Sequence, residues 1–261
     1  MKKMRLANDL DDTSIIYMIN ETADSLGMEI QKEMNRQVVL HPKVKSTFRE
    51  YQNSGAYRTW FADKMKQDLD VCVISNALLM VFQKNMPLDS TAFQSIDFLT
   101  EMIFNDFHFT DPALIASHYQ NTSIILYHVA RLVAVSDHEV FTDLRKKVVL
   151  DIRNHLPSVE NQMEKVILTS SLYRLNESQV FDFSWHELQE DMGSFYWFKA
   201  NPLSGSRLWV KKIFSHGNFM QLKYRSEEYS LALVFEMQKL ADANWVQKNG
   251  SVHLSSDVKI D

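Results

Sequence analysis

The chain has 261 residues, 45% of them apolar and 23% charged, with a formal net charge of −5. This is an ordinary globular balance without the basic stripe of a nucleic-acid binder. Six glycines and five prolines amount to about 4% of the chain, where roughly 12% is usual, and an all-β sandwich or barrel needs those residues at its corners. The glycines (Gly27, Gly55, Gly193, Gly205, Gly217, Gly250) are never closer than a dozen residues apart. That spacing excludes a Walker loop and a dinucleotide-binding glycine fingerprint, which need several glycines within about eight residues. The single cysteine, Cys72, has no partner for an internal disulfide and lies in an apolar run, so it is expected in the core. The longest apolar run, Val71 to Phe82, is too short to span a bilayer. The basic start Met1-Lys2-Lys3-Met4-Arg5 is not followed by an apolar stretch, and a soluble cytoplasmic protein is expected.

Apolar residues recur at three-and-four spacing nearly throughout, which predicts helix after helix. The first runs from Thr13 to Leu26, capped by Asp12 or Thr13, and the second from Met28 to Val39. Asp70 to Gln83 is almost wholly apolar, so this helix is expected to be buried on most sides. Ser90 to Asn105 follows. Asp111 and Pro112 read as an N-cap and first-turn proline opening a long helix through Val135. Ser136 with Glu139 has the form of a capping box for a helix to about His155. Pro157 opens another to about Leu175, and Ser226 to Asp242 is the last. Gln179 to Gln221 is aromatic-rich and reads as short helices and loops, with an extended piece at Arg207 to Phe214. The expectation is an all-α, single-domain chain (1–261), a ring of paired helices or a solenoid.

The sharpest local feature is Asn8-Asp9-Leu10-Asp11-Asp12-Thr13-Ser14, with three carboxylates in four residues. Three readings stand side by side. One is an acidic helix N-cap. A second is the Asp-x-Asp-x-Thr nucleophile motif of haloacid-dehalogenase-type phosphatases, met by Asp9, Asp11 and Thr13, although that chemistry also needs a preceding apolar strand. In the third, Asp9-Leu10-Asp11-Asp12-Thr13 resembles the Asp-x-Asp-Asp-Thr (DxDD) motif of class II terpene cyclases of the squalene–hopene type. Asp68-Leu69-Asp70-Val71-Cys72-Val73-Ile74-Ser75-Asn76-Ala77-Leu78-Leu79 is similar to a helix start of the related prenyltransferase and squalene-cyclase repeats, with Tyr57-Arg58-Thr59-Trp60-Phe61 ahead of it. Ser226 to Leu240 with Gln247-Lys248-Asn249-Gly250-Ser251-Val252 resembles the closing helix and tail of those repeats, Val252 standing where Trp is usual.

The resemblance implies an α/α toroid in which Asp11 protonates an alkene or epoxide of a polyprenyl substrate, supported by Asp9 and Asp12. Such an acid must be neutral near pH 7, which burial and neighbouring carboxylates favour. Aromatic faces would stabilise the resulting cation. No Asp-Asp-x-x-Asp motif is present, so no cofactor is expected, with Mg²⁺ implied only for a diphosphate substrate. A homodimer or second helical subunit would complete the cavity. The alternative is a non-catalytic isoprenoid-binding or scaffolding toroid acting as half of a complex.

Among the remaining residues, His118 and His128 are ten apart and share no ligand face. His108 with Asp111, and His186 with Asp191, read as surface pairs, and no zinc site is expected. Arg145-Lys146-Lys147 reads as a solvated helix face and Ser204-Gly205-Ser206 as a plain loop. Tyr57, Trp60, Tyr119 and Tyr127 are core or pocket-lining candidates.

Overall fold

The structure is a computed structural model that describes residues 9–20, 24–177, 184–200, 203–215 and 221–249. Twelve α-helices lie among them: α1 (Leu10–Ile19), α2 (Asp24–Leu40), α3 (Val71–Gln83), α4 (Ser90–Phe104), α5 (Phe107–Thr110), α6 (Pro112–Ile115), α7 (Thr122–Val135), α8 (Thr142–His155), α9 (Gln162–Arg174), α10 (Trp185–Ser194), α11 (Leu208–Ser215) and α12 (Glu227–Asn249). Two three-residue strands, β1 (Phe198–Ala200) and β2 (Leu222–Tyr224), pair antiparallel with Phe198 opposite Tyr224. The protein is all-α, as its apolar spacing predicts. No helix among the described residues is long and apolar enough to cross a membrane.

Five helices form one layer: α1 packs on α3, α3 on α7, α7 on α9 and α9 on α12. The helices between them in sequence lie against this row. α4 bridges α3 and α8, α8 lies on α7 and α9, and α10 lies on α9 and α12. α2 is fastened to the α3–α4 connection, where Gln31 Nε2 donates to the Pro87 carbonyl (2.6 Å) and Asn35 Nδ2 to Asp89 Oδ2 (2.7 Å).

Helix α3 is the centre of the core, with every residue from Val71 to Val81 buried. Asp70 Oδ1 caps it, accepting from the Cys72 and Val73 amides (2.9 and 3.3 Å), and Oδ2 accepts from the His118 amide (3.0 Å). Cys72 is buried and free, as expected.

Several boundaries differ from the sequence reading. The first helix starts earlier because Asp9, not Asp12 or Thr13, caps it, and it stops at Ile19 instead of running to Leu26. The segment from Asp111 to Val135 is two helices. Between them Ala116 to Asn121 is non-helical, bending at Ser117 and His118, clamped by the Asp70 carboxylate and by Lys199 N–H donating to the His118 carbonyl (3.0 Å), and Asn121 caps the new helix. Apolar spacing continues through that stretch, so the break leaves no mark on periodicity. Ser136 makes no capping box; its hydroxyl accepts from the His138 amide, and α8 begins only at Thr142. Pro157 lies in a 3-10 turn, and Asn161 caps α9 instead. The expected extended piece at Arg207 to Phe214 is helical, as α11, and the strands lie on either side of it. Ser204 to Ser206 is a turn, as read. Of the basic run, Lys146 is solvated, while Arg145 donates to the Val133 and Ser136 carbonyls and Lys147 is tied to Asp106 and Asp151.

α11 is anchored by a fully buried ion pair. Lys211 Nζ lies 3.0 Å from Asp68 Oδ1 and donates to the Leu114 carbonyl (2.8 Å), and Ser46 also donates to Asp68. Removing one member of such a pair strands the other in the core, at a cost of about 3–5 kcal/mol. Lys211→Met is therefore expected to lower unfolding free energy by about that much in urea titrations, and Lys211→Met with Asp68→Asn to recover much of it. A single-variant loss below about 1 kcal/mol would place the pair in water.

Candidate active site

The acidic motif separates into three different environments. Asp9 is the half-buried N-cap of α1: its Oδ1 accepts from the Asp12 amide at 2.7 Å. Burial is the main cause that pushes its carboxyl up to about 6, opposed by that amide. Asp12 points to solvent. Asp11, the second residue of the helix, turns inward and is only 8% exposed.

Asp11 Oδ1 accepts from Asn76 Nδ2 of α3 at 2.7 Å, and Oδ2 accepts a short hydrogen bond from the Tyr119 hydroxyl. Both donors are neutral. Burial raises the Asp11 carboxyl above the usual carboxylate range, with Asp12 adding to it, while the bonds from Tyr119 and Asn76 and the nearby His118 pull it back. Burial wins because two neutral donors replace only part of the water a carboxylate loses. The Tyr119 hydroxyl is itself pushed up, chiefly by burial and then by Asp11, so it remains a phenol that donates.

Around this pair lies an aromatic cluster. The Tyr119 ring packs on His128 (4.8 Å between centroids), and Trp197 packs on His128 (5.3 Å), Tyr127 (5.5 Å) and Tyr229 (5.0 Å). Burial holds His128 neutral, its imidazole lowered to about 3. Trp197 and Tyr229, with Phe195, Tyr224 and Ser226, line a cleft of about 460 Å³. α1, α3 and the segment before α7 thus meet at Asp11, and the aromatic cluster leads from Tyr119 through His128 to Trp197, at the wall of a cleft lined from α12 and the residues around β1 and β2.

Of the aromatic candidates, Tyr119 holds Asp11, and Tyr127 donates to Glu236 Oε2 (2.6 Å). Tyr57 is plain core and Trp60 half-buried. Asn76 was missed as a site residue. Its signal is that it is the one carboxamide in the stretch Val71 to Val81, which is buried all round. Ser75 satisfies itself on the Val71 carbonyl, whereas an amide in that position needs partners from another element.

The histidine pairs need correction. His108 is fully buried, its Nε2 3.1 Å from Asp151 Oδ2, because α8 presents that carboxylate to it; it is not a surface pair with Asp111. His186 lies nearest Glu190 (3.7 Å), and Asp191 accepts from the Gln162 amide. Asp106, His108 and Asp151 are grouped closely enough to hold a cation. The Lys147 ammonium occupies that position, 2.6 Å from Asp106 and 2.7 Å from Asp151, and supplies the positive charge itself.

The raised carboxyls set a pH dependence. Asp70, fully buried, is pushed up to about 6, mainly by burial. The folded state therefore holds protons that the unfolded chain releases near pH 4, and this stability is lost as pH rises through about 6. Asp70 contributes on the order of 2–3 kcal/mol to that fall. Urea titrations between pH 4 and 7 should show wild type losing stability relative to Asp70→Asn, and parallel profiles would contradict the assignment. Compared with known protein families, characterised proteins and solved structures, the chain matches none.

Proposed function

We propose that the protein is a class II terpene-cyclase-like enzyme in which Asp11 delivers a proton to an isoprenoid, and that its paired helices form an α/α toroid. The observation that carries the reading is the Asp11 carboxyl, buried, touched by neutral donors only, and beside an aromatic wall. The alternation of row helices with outer helices supports the toroid. The phosphatase alternative needs an apolar strand before the motif, where the sequence has the basic run Met1-Lys2-Lys3-Met4-Arg5.

Alkenes are weak bases, so the acid must stay neutral until the substrate arrives and lose little solvation on ionising. A dry carboxyl meets the first need. Asn76 and Tyr119, already aimed at its oxygens, meet the second by stabilising the carboxylate as it forms. The Asp11 proton forms a C–H bond at one alkene carbon, leaving the carboxylate and a cation at the other carbon. Internal attack by the next double bond passes the cation along the chain until a proton is returned. Faces such as Trp197 and Tyr229 contribute roughly 0.5–2 kcal/mol each to cation stabilisation. Asp9 keeps α1 in register, and Asp12 acts on Asp11 only through its field. The substrate is an isoprenoid, and a second copy or helical subunit closes the cavity, in the cytoplasm.

A second reading has its own support. Both Asp11 oxygens are occupied, as in a structural latch joining α1 to α3 and to the segment before α7. That is the non-catalytic isoprenoid-binding or scaffolding toroid.

Incubation with squalene, oxidosqualene and prenyl diphosphates, read by mass spectrometry, separates the two. The enzyme reading expects a cyclised isomer whose formation falls by roughly 10²–10⁴-fold in Asp11→Asn, the usual contribution of a positioned general acid. It further expects Tyr119→Phe to move the alkaline limb of the rate profile to higher pH. Removing a donor to the carboxylate raises the Asp11 pKa and extends the range in which the acid is protonated. No product from the folded wild type would leave the latch.

A further inference from the structure

We propose that the cleft between the C-terminal ends of α3, α7 and α9 is a binding site for a phosphoryl oxyanion, held by Arg131 and Arg174. The cleft has a volume of about 330 Å³ and is lined by Leu79, Gln83, Arg131, Ala134, Val135 and Arg174. The charges within it do not balance. Glu236 is the acidic partner, and it is already taken by the Arg174 guanidinium and by the Tyr127 hydroxyl.

Arg131, half-buried, has no carboxylate partner among the described residues. Its one hydrogen bond is a long one from Nη1 to Asn76 Oδ1 at 3.4 Å, and its guanidinium lies 5.7 Å from the centre of the Tyr127 ring. Arg174 adds a buried Nε with no hydrogen-bond partner among the described residues. Half-buried guanidinium groups normally spend their donors on carboxylates or on a ligand.

The meeting of three helix C-termini favours cations here and would oppose an anion, and one carbonyl of each terminus is engaged. The Met80 carbonyl accepts from the Lys84 amide, Ser171 from the Leu175 amide, and Val133 from Arg145. The open donors are those of the arginines, with the exposed Gln83 amide beside them. They come from three helices and so from three directions. This suits a tetrahedral oxyanion better than a planar carboxylate, which one guanidinium fork satisfies alone.

The site is independent of proton delivery by Asp11, although Asn76 touches both Arg131 and Asp11. The test is calorimetric titration of the full chain with inorganic phosphate and with inorganic diphosphate, which distinguishes a single phosphoryl group from a pair. One equivalent of one or both should bind. Arg131→Gln should weaken it by about 10–100-fold, the loss of a charge-assisted donor pair, and Arg131→Lys, keeping the charge without the fork, by less. Gln83→Glu, an exposed substitution that sets a carboxylate at the cleft, should weaken binding as well, and it keeps the test open if Arg131→Gln does not fold. Asp11→Asn should bind as wild type does even where turnover is lost, so failure of either proposal is told from failure of the other. No saturable binding of either anion, or affinity unchanged in both Arg131→Gln and Gln83→Glu, would overturn the site.

Discussion

Helix α3 has no solvent-facing side from Val71 to Val81, and this constraint organises the molecule. A helix buried all round cannot leave polar groups to water, so each must be met by protein. Its N-terminal amides are met by Asp70, whose second oxygen reaches across to His118. One side chain thereby starts the central helix and fixes the non-helical segment that carries Tyr119. The mid-helix amide of Asn76 is met by Asp11 and Arg131. The site is thus a consequence of how a buried helix settles its polar groups, with α1 on one side and α7 on the other.

Burial of charge recurs throughout this interior. Asp68 and Lys211 compensate each other directly. Arg58, almost wholly buried, leans on the His41 and Ala56 carbonyls, and burial lowers its guanidinium to about 10. Asp11 and Asp70 have no cation in hydrogen-bond contact and respond by holding their protons more tightly. The distinction matters chemically. A carboxylate paired with a cation is a structural anchor that stays ionised, whereas one paired with amides and a phenol is a reservoir for a proton.

What was legible in the sequence follows the range of the interactions concerned. Asp70 to Gln83 and Ser90 to Asn105 could be read almost to the residue, because their caps and apolar periods are local. The break at Ala116 to Asn121 could not, since it is imposed by Asp70 and by Lys199, far away in the chain. The strand pair was unreadable for a different reason: three residues with no alternation carry no period-two signal. Asp11 stood out as part of a motif, and it is buried beside a helix start. Its two donors lie 65 and 108 residues away, and nothing in the local spacing marks them. The motif also drew attention to Asp9 and Asp12 as equals of Asp11, but helical geometry separates them. Asp9 precedes the first helical residue and points its carboxyl at the backbone, while Asp12 falls on the outer face.

The Asp11 hydrogen bonds serve a latch and an acid equally well in the resting state, so the difference lies in what the surroundings do when the proton leaves. A latch alone would gain from a cation placed at the carboxylate, which would depress its pKa and strengthen both bonds. The α7 cation Arg131 contacts the Asn76 oxygen at 3.4 Å and makes no ion pair with Asp11 among the described residues. Asn76 thus presents its oxygen to Arg131 and its N–H side to Asp11. An arrangement that meets a buried carboxyl with a neutral amide and a phenol gives up, in the resting state, the binding energy that a paired cation would supply. What it retains is a carboxyl whose proton is available and whose conjugate base is already solvated by two fixed donors.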